Sequence, residues 1–181
     1  LFTKAEDEVV KTPQAEALTE AKKSAPLADL VEIASPLSGQ VKELSQATDP
    51  VFAQGVMGQG VLIEPSQGDL LAPVDGVVSV LFPTKHAVGI VSDQGVEMLM
   101  HIGMDTVNLE GKGFTAHVSQ GDRVKAGDKL ISFDIDLIKD AGYVTETPVI
   151  ITNQDQYQVD ALGSLPRQIA VGDALMTATK I

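Results

Sequence analysis

From about Leu30 onward the chain is built of short apolar, β-branched runs, among them Val77-Val-Ser-Val-Leu81, Ala87-Val-Gly-Ile-Val91 and Val96-Glu-Met-Leu-Met100, each closed by Gly, Pro or Asp. The 16 glycines and 9 prolines fall mostly in the turns between such runs. This punctuation predicts an all-β fold, an antiparallel β-sandwich or barrel with at most short helices. One segment departs from the pattern: Asp136–Ala141 has an acidic start and Gly142 placed to end it, the mark of a short connecting helix. With 44% apolar residues in 181, a fold of this kind buries its core without cross-links.

Residues 1–28 have a different texture, rich in Ala, Glu, Lys and Thr, poor in large apolar side chains and interrupted by Pro13 and Pro26. They read as a flexible interdomain linker, with residues 29–181 as the folded domain. The chain opens on Leu1 rather than Met, which is expected of a piece of a longer polypeptide or of a processed chain. Two internal echoes point to a duplicated hairpin core. Ser35-Pro-Leu-Ser-Gly-Gln-Val-Lys-Glu-Leu44 aligns with Ala72-Pro-Val-Asp-Gly-Val-Val-Ser-Val-Leu81, and Val124-Lys-Ala-Gly-Asp-Lys-Leu130 with Ile169-Ala-Val-Gly-Asp-Ala-Leu175. The shared residues are those of turns and cores.

Composition narrows the chemistry. There is no cysteine, so disulfide scaffolds, thiol catalysis and thiolate metal sites are excluded. Lys+Arg number 13 against 25 Asp+Glu, a net charge of −12, which argues against nucleic acid and favours a basic protein partner. No apolar run approaches the roughly 18–20 residues of a membrane helix, so the piece is expected to be soluble.

The richest stretch is His86-Ala-Val-Gly-Ile-Val91, Ser92-Asp-Gln-Gly95, Val96-Glu-Met-Leu-Met-His-Ile102, which reads as strand, turn, strand. With a loop of two or four residues, Val91 faces Val96 and His86 faces His101, bringing two imidazoles to one site. A three-residue loop shifts the register by one and puts the rings on opposite faces. The even loop is the expectation. Thr84, two residues before His86, shares its face in an extended strand and is placed to hydrogen-bond that ring. Asp105 lies four residues past His101, beyond Gly103, where it can orient a ring or meet a partner. Paired imidazoles can bind metal, pass a proton, or divide the labour of nucleophile and charge stabiliser. The absence of His-x-His, His-Glu-x-x-His and cysteine speaks against a resident metal. The bland alternative is a pair of satisfied, partly buried histidines, and His117 is read that way. Val51, Phe52, Val56, Met57 and Phe82 are core residues or an apolar docking rim for a partner. Glu64, Asp75 and Asp122 read as turn or surface residues.

Several motifs then recur in a specific order: Ser35-Pro-Leu-Ser-Gly39, Asp49-Pro-Val-Phe-Ala53, Met57-Gly-Gln-Gly60, Ala72-Pro-Val-Asp-Gly76, Phe82-Pro-Thr-Lys-His-Ala-Val-Gly89, His101-Ile-Gly-Met-Asp-Thr-Val-Asn-Leu109 and Gly111-Lys-Gly-Phe114. Over about residues 30–181 the chain resembles the glucose-type enzyme IIA domain of the bacterial phosphoenolpyruvate-dependent sugar phosphotransferase system. The resemblance implies a β-sandwich whose His101 accepts a phosphoryl group from the phosphocarrier HPr through Nε2. The group then passes to a cysteine of a IIB domain and on to the sugar. It implies that His86 donates a hydrogen bond to the phosphoryl oxygens, that Thr84 holds the His86 ring, and that Asp49 and Asp105 border the site and meet a basic residue of HPr. No metal or other cofactor is required. The long lead before the domain suggests the C-terminal module of a multidomain sugar permease, with a IIC membrane domain in the same or a partner chain and the IIA module on the cytoplasmic side. The alternative is a IIA-like regulatory domain fused to a sugar symporter outside this system. Two rival classes fit less well. A biotinyl or lipoyl carrier lacks its acceptor lysine here, since Leu130-Ile-Ser-Phe is followed by Asp134-Ile-Asp-Leu, and a zinc peptidase lacks its His-x-His pair.

Overall fold

A computed structural model of the chain describes residues 29–181, so the expected linker over 1–28 lies outside the described residues. The described residues hold fourteen strands: β1 (Leu30–Ala34), β2 (Gly39–Glu43), β3 (Gln59–Pro65), β4 (Asp69–Leu71), β5 (Gly76–Leu81), β6 (Ala87–Ser92), β7 (Glu97–His101), β8 (Phe114–Ala116), β9 (Arg123–Val124), β10 (Lys129–Phe133), β11 (Thr147–Ile151), β12 (Tyr157–Ala161), β13 (Arg167–Ile169) and β14 (Ala174–Lys180). They form an eight-stranded sheet in the order β13-β2-β3-β11-β7-β6-β5-β9 and two three-stranded sheets, β1-β14-β12 and β4-β10-β8. The all-β expectation holds. The α-helices are two short ones among these residues, α1 (Pro50–Ala53) and α2 (Ile135–Asp140). The predicted connector helix is α2, starting one residue earlier than expected because Asp134 caps it, accepting a hydrogen bond from Leu137 N–H. Helix α1 carries no sequence expectation; Asp49 caps it and Pro50 occupies its first position.

Both echoes are structural. The strands β1, β2, β3, β11, β12, β13 and β14 are matched in kind by β4 through β10, so one unit of seven strands is inserted into the other between β3 and β11. Hairpin β2–β3 corresponds to β5–β6, with Gly39 opposite Pro65 and Gly76 opposite Ser92. Edge strand β13 pairs Ile169 with Gly39, and β9 pairs Val124 with Gly76. The Gly-Asp turns make the same clasp twice. Ser35 N–H donates to Asp173 O (2.7 Å) while Ser35 O accepts from Gly172 N–H (2.9 Å); Ala72 N–H donates to Asp128 O (2.7 Å) while Ala72 O accepts from Gly127 N–H (2.8 Å). The two proline loops cross-bond as well, Ala34 N–H to Pro73 O and Leu71 N–H to Pro36 O.

The shared glycines are required by close approach. A Cβ on Gly39 stands 2.0 Å from Glu64 O, at φ +156°, and one on Gly76 stands 2.1 Å from Val91 O. Gly39→Ala is therefore expected to destabilise the fold by about 2–3 kcal/mol or more, read as a lowered denaturant midpoint. An unchanged midpoint refutes the packing argument.

Alternation along the central strands splits the apolar residues into two clusters. Val61 and Ile63, Met98 and Met100, Val149 and Ile151 enter the main core. Their neighbours Leu62, Leu99 and Ile150 point to the other face, where they join Leu44, Ala47, Phe52, Ala87 and Met104 in a smaller cluster. β11 is buried on both faces, consistent with its central place in the large sheet. His101 shares the face of Leu99, two residues before it, so it sits at the margin of the smaller cluster. No described helix is long and apolar enough to cross a membrane.

Candidate functional site

His86 and His101 meet: their ring centroids are 4.9 Å apart at 82°. They do not meet for the reason read from the sequence. The β6–β7 ladder pairs Ala87 with His101, Val88 with Met100, Gly89 with Leu99 and Val91 with Glu97, one residue off the expected register. The loop is the three-residue Asp93-Gln94-Gly95, closed by Ser92 N–H to Val96 O and Gly95 N–H to Ser92 O, with Gly95 at φ +102°. A regular strand continued through His86 would carry its ring to the opposite face. The strand is not continued. Phe82–Lys85 forms a turn, closed by Lys85 N–H to Phe82 O, and Lys85 takes the left-handed φ of +63°. His86 therefore precedes β6 and is free of its alternation, its carbonyl accepting from Ile102 N–H, just past β7, at 2.7 Å.

The rings are fixed at their Nδ1 atoms. His101 Nδ1 lies 2.7 Å from Gly103 O, and a carbonyl only accepts, so this nitrogen carries the proton and Nε2 the lone pair. His86 Nδ1 lies 2.6 Å from Thr84 Oγ1. The Thr84 contact was expected, but it arises within the turn and not along an extended strand. Aromatic walls complete the setting. Phe52 lies 5.2 Å from His101, and Phe82 meets His86 edge-on at 5.3 Å.

Burial, and then the neighbouring His101, push the His86 pKa down from the ordinary 6.5 to about 4. His101 is also lowered by burial, against the opposing pull of the Gly103 carbonyl, Asp49 and Asp105. Both imidazoles are neutral at pH 7. Because the folded values lie below the unfolded ones, the unfolded chain takes up protons first as pH falls. The contribution of these neutral rings to stability is full above about pH 6.5 and, for His86, is lost on the way to pH 4. The His86 part of that loss is about 3 kcal/mol. Thermal melting between pH 7 and 4 is expected to flatten in His86→Gln; a variant slope equal to wild type overturns this.

The bordering residues sort by exposure. Asp49 is engaged as the cap of α1, its Oδ1 accepting from Val51 N–H at 2.9 Å, and Asp105 sits at φ +61° just past the His101 loop. Val51, Val56 and Met57 are exposed and Phe82 partly so, as a docking rim needs. Phe52 is a correction: at 5% exposure it belongs to the buried cluster beneath His101, because α1 turns it inward, and it is a support and not a docking residue. Exposed Val107 and Val144 flank the same loop and went unread in the sequence, as did the Gly103 carbonyl and the left-handed Lys85. A non-glycine residue in that conformation has no local sequence signal. His117 lies apart, 2.8 Å from Ser132 Oγ, which donates to Asp69. Glu64, Asp75 and Asp122 brace loops by accepting from Thr145, Ala126 and Ser119. Among the described residues no three His, Cys, Asp or Glu side chains are grouped to hold a metal ion.

The β-sandwich thus brings two oriented imidazoles together at one edge of an apolar cluster. The chain belongs to the family of the phosphoenolpyruvate-dependent sugar phosphotransferase system, EIIA 1, which matches residues 31–157. It is 58% identical over 125 residues to a PTS system beta-glucoside-specific EIIBCA component of Bacillus subtilis (strain 168), covering 69% of this chain and 20% of that protein. It is 54% identical over 123 residues to a PTS system glucose-specific EIIA component of Bacillus cereus, covering 68% of this chain and 74% of that protein. Among solved structures, the glucose permease IIA from Mycoplasma capricolum superposes with a TM-score of 0.74 at 36% identity, covering 82% of this chain and 95% of that one. The chain thus spans about a fifth of the EIIBCA relative and most of the stand-alone one. It is an EIIA 1 domain, and the β-sandwich expectation stands.

Proposed function

We propose that His101 accepts a phosphoryl group from phospho-HPr on Nε2 and passes it to a cysteine thiolate of a IIB domain, on the cytoplasmic side of a IIB/IIC sugar permease. The reading rests on one observation above all, the Nδ1–H of His101 held on the Gly103 carbonyl, which leaves Nε2 as the unprotonated nitrogen. In the first step the Nε2 lone pair forms the P–N bond as the bond to the donor breaks; no proton moves on His101. The transition state spreads charge over three equatorial oxygens, so catalysis lies in placement and in hydrogen-bond donors. His86 supplies a donor if its Nε2 carries the proton, which is the tautomer obtained when the Thr84 hydroxyl donates to Nδ1. Asp49 and Asp105 attract a cationic residue of the donor protein, in line with the net charge of −12. The EIIBCA relatives favour a permease parent over a symporter-borne regulatory domain. Intact mass after incubation with phosphoenolpyruvate, enzyme I and HPr tests the reading. One acid-labile phosphoryl group per chain is expected, and an unmodified wild type rejects it.

A further inference from the structure

Both walls around His101 hang from one short segment, Val144–Glu146, just ahead of β11. On one side the Val144 carbonyl accepts from Met104 N–H at 3.3 Å, and a Cβ on Gly103 would stand 2.8 Å from it, so the segment bears on the loop that orients His101. On the other side is Glu146, a carboxylate only 5% exposed. One of its oxygens, Oε1, accepts from both Thr48 N–H (3.2 Å) and Thr48 Oγ1–H (2.5 Å). Among the described residues the ion pairs are Arg123–Asp93 and Lys129–Asp69, so hydrogen bonds alone meet the Glu146 charge. Burying a carboxylate without a counter-ion is costly, and the transfer chemistry makes no use of this one.

What those bonds hold is informative. Thr48 directly precedes Asp49, the cap of α1, and α1 places Phe52 against the His101 ring. A helix of four residues has no stability of its own and needs an anchor. We propose that Glu146 is a positioning residue for phosphoryl transfer: by anchoring Thr48 it sets Asp49 and Phe52, and through them the attack geometry of His101. This inference rests on His101 being the phosphoryl acceptor.

The test uses the whole chain with Glu146→Ala, Glu146→Gln and Thr48→Val. Initial rates of phosphoryl uptake are measured over a range of phospho-HPr concentrations, and the His101 ring nitrogens are followed by ¹⁵N NMR across pH. Glu146→Ala is expected to lower the maximal rate by about tenfold, to raise the half-saturating donor concentration because Asp49 and Val51 shift with α1, and to move the His101 ring signals and their titration midpoint. Glu146→Gln, whose amide oxygen accepts the same two bonds, is expected to return to within about twofold of wild type. Thr48→Val, at an exposed position, is expected to show the same kind of rate loss with little change in melting. A Glu146→Ala protein that melts early but keeps its rate and ring titration overturns the proposal, as does a Glu146→Gln protein no better than Ala. Should Glu146→Ala fail to fold, unchanged rate and ring signals in Thr48→Val overturn it alone. If wild type takes up no phosphoryl group, the transfer reading falls separately, and the ring spectra of the variants still decide whether the anchor sets His101.

Discussion

His101→Gln, given phosphoenolpyruvate, enzyme I and HPr, is expected to gain no phosphoryl group under conditions that fully modify wild type. The physical case is specific to one nitrogen. Glutamine matches the imidazole roughly in length and its amide can still reach the Gly103 carbonyl, so the loop is preserved while the lone pair at Nε2 is lost. His86 cannot substitute, since it is 3% exposed. His117 cannot either, because it lies on the far three-stranded sheet beside Ser132. The outcome that sinks the assignment is an acid-labile phosphoryl group retained in His101→Gln, which places the acceptor elsewhere. The same experiment at lower pH carries a sign. His101 must be neutral to attack, and its pKa is held below the usual imidazole value, so wild-type uptake is expected to persist into mildly acidic solution.

His86→Gln is expected to accept the phosphoryl group yet to transfer it onward about 10²- to 10³-fold more slowly, the usual cost of removing one donor from a developing oxyanion. The asymmetry follows from charge. In the first transfer the attacking imidazole is neutral; in the second a thiolate approaches a phosphoryl group that already carries negative charge, so the donor beside it matters more. His86 starts neutral, with a pKa near 4, and a phosphoryl dianion next to it pulls that value upward, strengthening the donor when it is needed. Single-turnover transfer from the phosphorylated variant to a IIB domain measures this directly. Onward transfer at the wild-type rate removes His86 from the mechanism and leaves it as part of the aromatic wall with Phe82.

Much of the fold was legible because it is written twice. The proline loops at Pro36 and Pro73 and the Gly-Asp turns at Gly172 and Gly127 are local sequence signals, and each pair makes the same backbone bonds. The nesting of one seven-strand unit inside the other was not legible, since nothing local tells β3 to pair with β11 across the whole insertion. At the site, the pairing of His86 with His101 was foreseen through a register that the structure does not have. Loop length decided it: Gly95 closes a three-residue turn, and the lost register is recovered by the left-handed Lys85, which takes His86 out of the pleat. Phe52 stayed open between core and docking rim, because an apolar residue beside a polar site looks the same in sequence whether it faces solvent or core; its 5% exposure decides for the core.

The amino-acid sequence by itself determined the class of fold, the two imidazoles and the threonine that meet at the candidate site, and the family, because these reside in short motifs whose spacing is conformational information. The tertiary structure alone decided which nitrogen of His101 is free, which apolar side chains support and which stand exposed, and what braces the loops. Those depend on contacts between residues far apart in the chain, such as Glu146 with Thr48 across 98 positions. No periodicity within a strand or turn encodes such a contact, because its free energy exists only once the sheets have brought both partners together.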